Sequence, residues 1–347
     1  MFIISKDYLV ENIIKYDENK IIAVMLNNII YYQEINVLKK RGVRTIYTIE
    51  KDTEFYNMQK NLQKNFLSKV ALPTCVKGFC KETSYCDFLK EHINKRYYMR
   101  MDIKDFFDSI TEFQIHESLQ DLVKSEDAID IILKLCTYEG ILPQGAVTSP
   151  MLSNIVFRRI DQRILKYCQK FDVTYTRYAD DLLFSSNKIN FKDNKWFYKK
   201  IKYILQENGF KSNYSKRHIE KDKLCLGGFV VQNEVNLSRK KLNNINKILY
   251  YFKDKNQKNK YVVDKNLVDE NCIVEINKLK IIDNSGRQRW ITTLPELINY
   301  LCGYRSFLIE VVNSNENIKT KKMKNLQNKI KQIEKVVKQI NLIAEKN

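Results

Sequence analysis

Three aspartates carry the clearest chemical potential in this chain. Two are adjacent, in Tyr178-Ala179-Asp180-Asp181, with β-rich runs on either side: Val173-Thr174-Tyr175-Thr176-Arg177 before and Leu182-Leu183-Phe184-Ser185-Ser186 after. That pattern predicts a hairpin with carboxylates at its tip. The third, Asp102, ends another β-rich run, Tyr97-Tyr98-Met99-Arg100-Met101-Asp102. Carboxylates at strand ends suit hard cations such as Mg²⁺. An isolated Asp-Asp pair is an ordinary solvated turn, but a pair matched by an upstream strand-end carboxylate is a candidate site. Asp105 and Asp108 share the upstream segment and read as cap or surface groups.

Strands must carry these groups, and helices must back the strands. Only four prolines and nine glycines punctuate the chain, so long helices should dominate. Residues 1–40 read as helical, followed by a β-rich run at Thr45-Ile46-Tyr47-Thr48-Ile49 and a helix from Glu54 to Val70. Phe113 to Tyr138 reads as mostly helical. Ser149 reads as the cap of a helix with Pro150 in its first turn. Leu152, Ile155, Val156, Ile160, Ile164 and Cys168 follow at helical spacing. Trp196 to Glu207 is another helix, stopped by Asn208-Gly209. Gly227-Gly228 marks a bend inside a strand-like run, Leu224 to Val235. Helical patterns return from Ser238 and over Leu294 to Val312, separated by a polar stretch, residues 253–271, that reads as loop or linker. In the tail, Met323, Leu326, Ile330, Ile333, Val337, Ile340 and Ala344 form a heptad-like stripe. The favoured reading packs it on its own domain; self-association through 323–344 is the alternative.

The bulk composition narrows the partners. A chain of 347 residues supports two or three subdomains. Its formal net charge of +19 suits a polyanion, although abundant Lys, Asn and Ile also fit the codon bias of an AT-rich genome. The 21 tyrosines and 17 phenylalanines serve either a core or base-stacking platforms. Eight cysteines without a CxxC pair, and only three histidines, argue against structural zinc. The opening Met1-Phe2-Ile3-Ile4 run is too short for a signal peptide and Ile21 to Leu26 too short for a span, so a cytoplasmic protein with free thiols is expected.

Taken in order, Asp102 with Phe106-Phe107, then Leu142-Pro143-Gln144-Gly145-Ala146-Val147-Thr148-Ser149-Pro150, then Tyr178-Ala179-Asp180-Asp181, resemble the palm motifs of reverse transcriptases. Within that superfamily the chain resembles bacterial retron-type and abortive-infection, defence-associated enzymes. The resemblance implies an α+β right-hand polymerase: fingers over residues 1–98, a palm with an antiparallel sheet over 99–237 (carrying a helical insertion at 113–140), a helical thumb over 238–312 and a basic C-terminal helix over 313–347. It implies two Mg²⁺ ions, with Mn²⁺ as a substitute, held by Asp102, Asp180, Asp181 and the backbone carbonyl of Ile103. Two-metal transfer needs ions about 4 Å apart and carboxylates reaching both from rigid elements.

Further roles follow by the same resemblance. Phe107 matches an aromatic gate that rejects a 2′-hydroxyl; in an alternating strand continuation it would face away from a core Phe106. Gln144 matches a residue near the incoming sugar. Arg44 is suited to triphosphate oxygens, and Lys216, ahead of Lys211, to protonating pyrophosphate. Leu226, Gly227 and Gly228 match a primer-grip turn. The implied partners are an RNA template, a cognate structured non-coding RNA, with dNTPs, a DNA product and an accessory defence protein. Departures exist. Phe88-Leu89-Lys90-Glu91-His92 keeps the histidine of the retron Asn-Ala-x-x-His element without its Asn-Ala, and Leu226-Gly227-Gly228 stands where retron enzymes carry Val-Thr-Gly. These favour an unclassified defence-associated enzyme, with His92 as a buried structural histidine. The leading expectation is RNA-templated DNA synthesis in anti-phage defence. Template-independent or protein-primed synthesis, and a non-catalytic RNA-binding protein that kept the fold, are the alternatives.

Overall fold

A computed structural model describes residues 4–38, 42–253, 270–283, 287–315 and 320–344. The chain divides into two compact units, Met1–Phe88 with Tyr97–Glu220 and Leu89–Arg96 with Lys221–Asn347. Helices and antiparallel strands occur in both, so the fold class is α+β as expected.

The first unit begins with short helical pieces, Lys6–Tyr8, Leu9–Ile14 and Glu18–Leu26. An antiparallel hairpin follows: β1 (Tyr32–Leu38) pairs with β2 (Val43–Ile49), Tyr32 opposite Ile49 and Leu38 opposite Val43. This corrects the all-helical reading of residues 1–40. Only Tyr32 of β1 is buried and its other six residues are exposed. A strand without a buried face leaves no period-two signal to read.

The unit's main sheet contains β3 (Tyr97–Asp102), β4 (Thr174–Tyr178), β5 (Asp181–Ser186) and β6 (His218–Lys221), in the order β4-β5-β3-β6. β5 is interior and almost wholly buried, which explains its unbroken Leu182-Leu183-Phe184 run. One sheet face carries Met99, Met101, Tyr175, Leu182 and Phe184 into a continuous core shared with the Ser149–Gln169 helix. The opposite face carries Arg100, Asp102, Tyr178 and Asp181, as strand alternation requires.

The long helix presents Leu152, Ile155, Val156, Ile160, Ile164 and Cys168 to the core as predicted. Ser149 is not its cap. The helix begins at Ser149, and the Ser149 hydroxyl donates to the Pro143 carbonyl at 2.6 Å, pinning the preceding loop. Within the apolar stripe sits Asp161, fully buried, paired with an equally buried Arg177 of β4 at 2.7 Å. Tyr175 donates to Asp161 at 2.8 Å, and the Arg177 guanidinium lies 4.7 Å from the centre of the Phe157 ring.

The second unit holds a three-stranded meander, β7 (Leu224–Leu226), β8 (Phe229–Val231) and β9 (Val235–Leu237). Leu226 pairs with Phe229 across Gly227 and Gly228, whose φ values of 60° and 86° are the positive pair a tight hairpin demands. Its helices are Arg239–Tyr251, Glu270–Lys278, Leu294–Ser314 and Lys321–Ala344. Most of the 253–271 stretch read as linker lies outside the described residues. The tail helix packs along Leu294–Ser314, burying Met323, Leu326, Ile333, Val336 and Ile340, with Arg305 and Glu334 paired at 2.6 Å. The expected stripe is thus covered within its own unit in part: Val336 rather than Val337 is buried, Ile330 and Val337 are half-buried, and the Ala344 side chain lies outside the description. His92 is fully buried, as read. No helix among the described residues is long and apolar enough to cross a membrane.

Breaking a buried ion pair strands the remaining charge and costs about 3–5 kcal/mol. Asp161→Asn should therefore lower unfolding stability by about that much in a denaturant titration. A surface substitution such as Asp193→Asn serves as the control and should move the midpoint little.

Candidate active site

Strand register assembles the aspartates. Asp181 of β5 lies opposite both Asp102 of β3 and Tyr178 of β4, leaving Ala179 and Asp180 as a two-residue tip. The Ile103 N–H donates to the Asp180 carbonyl at 3.0 Å, so the backbones at Asp102 and Asp180 run side by side. The tip is strained, because Ala179 has φ 55°, a region that favours glycine. Two contacts hold it. Arg177 Nη1 donates to the Ala179 carbonyl at 3.2 Å. Gly78 lies so close that a Cβ there would come 2.6 Å from the Ala179 nitrogen.

Each carboxylate meets a different environment. Asp102 is nearly buried; its Oδ2 accepts from Lys216 Nζ at 2.8 Å, while its Oδ1 is buried with no protein partner. Lys216 arrives because its segment is tied to β3, with the Asn213 N–H donating to the Asp102 carbonyl at 2.7 Å and the Lys104 N–H to the Lys211 carbonyl at 2.8 Å. Lys211 itself is exposed. Burial, then repulsion from Asp102, pushes the pKa of Asp180 up; Lys216 and Arg44 oppose this. Asp181 is also pushed up by burial, although Arg100 donates to its Oδ1 from Nε at 2.9 Å and Nη2 at 2.7 Å.

The other expected residues gather in part. Arg44 lies on β2, and its charge acts on Asp180. The Gln144 carbonyl accepts from the Tyr47 N–H at 2.8 Å. A Cβ on Gly145, with φ 117°, would come 2.6 Å from Ile46 Cγ2, so glycine there lets the Pro143-Gln144-Gly145 loop seat on β2. Phe106 is buried and Phe107 half-buried, their ring centres 5.4 Å apart. The two rings do differ in burial, but not by strand alternation: the chain leaves the sheet after Ile103 and forms turns. Asp105 and Asp108 are exposed as read. Ile103 is buried and bridged to Ser212. Leu226, Gly227 and Gly228 lie in the second unit.

Sequence reading missed Arg100, Arg177, Asp161 and Gly78. Two of them carried a signal. Arg100 precedes Asp102 by two residues in a strand and must share its face. Asp161 interrupts an apolar helical stripe between Ile160 and Ile164, where an acid needs a buried partner.

Among the described residues no three His, Cys, Asp or Glu side chains form a ready metal cluster. The donors still suit hard divalent cations at two of the three aspartates. Asp102 offers an orphaned buried oxygen and Asp180 a neighbouring carboxylate that repels it, both relieved by positive charge. Asp181 is already engaged by Arg100.

The reverse transcriptase (RNA-dependent DNA polymerase) family profile matches residues 37–236, spanning this hairpin, the Gln144 loop and the Asp102 strand. The chain belongs to that family. Bacterial retron enzymes are among its relatives. It is 31% identical to the retron Ec86 reverse transcriptase of Escherichia coli over 45% of this chain and 49% of that protein. It is 27% identical to the retron Mx65 reverse transcriptase of Myxococcus xanthus over 52% of this chain and 45% of that one. The chain thus spans about half the length of the relatives it matches. The chain is similar to these retron enzymes although it lacks the Asn-Ala and Val-Thr-Gly elements. Among solved structures, a Candida albicans telomerase in complex with a telomeric RNA fragment aligns over 87% of this chain and 63% of its own, at 12% identity and TM-score 0.46.

The folded-state pKa of Asp180 lies above its unfolded value, so ionised Asp180 detracts from the stability of the metal-free protein. The penalty is absent below the unfolded pKa and complete above the folded one. Asp180→Asn should accordingly raise the melting temperature of metal-free protein at pH 8, by about 2–4 °C per kcal/mol relieved. The gain should shrink as the pH is lowered through the carboxylate range, which differential scanning calorimetry across pH would follow.

Proposed function

We propose that this protein is an RNA-directed DNA polymerase that adds dNTPs to a DNA 3′ end on an RNA template. The observation that carries the reading is the apposition of Asp102 and Asp180 on neighbouring backbones, with Lys216 on Asp102. Like charges are brought together here at an energetic cost that makes sense for holding cations. Family membership supports the same chemistry.

In this reading Asp102 and Asp180 hold the ions, with the Ile103 carbonyl completing one set and Asp181 in a supporting role beside Arg100. When bound, two Mg²⁺ ions, or Mn²⁺ in their place, supply Lewis-acid activation of the 3′-hydroxyl and neutralise the triphosphate. Arg44 takes triphosphate oxygens through its fork of N–H donors. Lys216, whose ammonium lies on Asp102, gives a proton to departing pyrophosphate in this reading. Gln144 faces the nucleotide sugar from a loop whose glycine admits close backbone approach. Phe107 meets the sugar edge and rejects a 2′-hydroxyl.

The subdomain reading follows: fingers over 1–98, palm over 99–237 with the helical insertion at 113–140, thumb over 238–312 and a C-terminal basic helix over 313–347. Leu226, Gly227 and Gly228 serve as the primer grip. The net charge of +19 supports binding to nucleic-acid backbone. A cognate structured RNA as template, an accessory protein and a role in anti-phage defence extend the retron kinship to this chain.

Purified protein with Mg²⁺ and a primed RNA template should incorporate dNTPs. Asp102→Asn should reduce the rate by three orders of magnitude or more, equivalent to about 4 kcal/mol of lost transition-state stabilisation. Undiminished synthesis by that variant would reject the metal assignment. Phe107→Ala should admit ribonucleotides. Sequencing the copurified nucleic acid identifies the template, and DNA covalently attached to the protein would favour the protein-primed alternative.

A further inference from the structure

Phe79 lies outside every role assigned above, yet its placement is strongly imposed. Its φ is 60°, an outlier for a bulky side chain, and it stays 39% exposed. Neither property helps the fold. Residues 75–78 are laced to β4 just before the aspartate tip. The Arg177 N–H donates to the Cys75 carbonyl at 2.8 Å, and the Lys77 N–H donates to the Arg177 carbonyl at 2.8 Å. From the long helix, Asn154 Nδ2 donates to the Gly78 carbonyl at 2.9 Å, with Asn154 fully buried. Thr83 Oγ1 donates to the Lys77 carbonyl at 2.8 Å from the other side. A segment over-determined in this way can force an unfavourable backbone angle on its next residue.

The forced angle brings the Phe79 ring centre 6.2 Å from that of Phe107 and 6.4 Å from that of Tyr178. Phe107 therefore has two aromatic neighbours. Phe106 is the inner one, itself packed on Phe157 and Phe210. Phe79 is the outer, exposed one. A ring that excludes a single hydroxyl must not swing aside, and side-chain rotamers exchange easily unless neighbours block them. Phe106, being buried, can restrain Phe107 only from the core.

We infer that Phe79 is a positioning residue that braces Phe107 from the solvent side, so that the gate resists a ribonucleotide. This inference rests on the gate role proposed for Phe107. The test compares kcat/KM for a dNTP and its matching rNTP on a primed RNA template, for the wild type, Phe79→Ala, Phe79→Tyr, Phe107→Ala and the Phe79→Ala/Phe107→Ala double variant. With Phe79→Ala the preference for dNTP should fall about five- to tenfold, the range an aromatic pair supports. Phe79→Tyr, which keeps the ring, should preserve the preference. The double variant should be no more permissive than Phe107→Ala alone, because a brace has nothing left to hold.

Equal losses for both nucleotides with an unchanged ratio would mark Phe79 as merely structural and overturn the inference. So would additive effects in the double variant, or a Phe79→Tyr enzyme as permissive as Phe79→Ala. Should Phe79→Ala fail to fold, Phe79→Leu keeps an apolar side chain without the ring and is held to the same ratio test. A Phe107→Ala enzyme with unaltered preference would instead remove the gate itself, and the brace with it. That result is distinct from the brace failing alone, in which Phe107→Ala relaxes selectivity and Phe79→Ala does not.

Discussion

Burial of carboxylates held close together, with the repulsion between them, constrains the first unit. Asp102, Asp180 and Asp181 meet at one end of a sheet where burial weakens water's screening. Burial first, and then repulsion, pushes the protonation of Asp180 and Asp181 upward. The chain answers with a cation of its own for each: Lys216 on Asp102, Arg100 on Asp181, and Arg44 acting on Asp180. These cations leave an orphaned oxygen on Asp102. The result is a cluster in which each carboxylate feels a nearby cation and one buried oxygen is left without a protein partner.

Geometry is secured from below. The tip that presents Asp180 contains an alanine in a backbone conformation better suited to glycine. Arg177 reaches its carbonyl only because Asp161 fixes the guanidinium inside the core. A well-packed apolar pair in their place could be as stable, but it could not hold the turn. The buried pair is thus better understood as a device of position than of stability. Gly78 acts in the same sense by omission, since any side chain there would strike the tip backbone.

The second unit contributes a tight meander and a bundle whose tail helix is already covered by its neighbour. Family membership rests on the first unit and the start of the second, through residue 236. The retron relatives share about half their length with this chain.

Much of the site was legible in the sequence because its signals are local. A turn between two β-rich runs, a strand ending in Asp102 and a Pro-Gln-Gly loop before a helix are each contained within a dozen residues, and their order carried the family. Long helices were legible wherever one face is buried, as with Ile160, Ile164 and Cys168. β1 was not, because six of its seven residues face solvent and leave no alternation. Nor was the true start of the Ser149–Gln169 helix, since the Ser149 hydroxyl is drawn back to the Pro143 carbonyl of the preceding loop rather than to its own helix. Only the tertiary structure decided that Arg177 meets Asp161, that Arg100 takes Asp181 and that Gly78 seats against Ala179. Those are contacts between segments separated by from 16 to about 100 residues. Electrostatics and close packing act through space, and a linear pattern records them only when space and sequence run together.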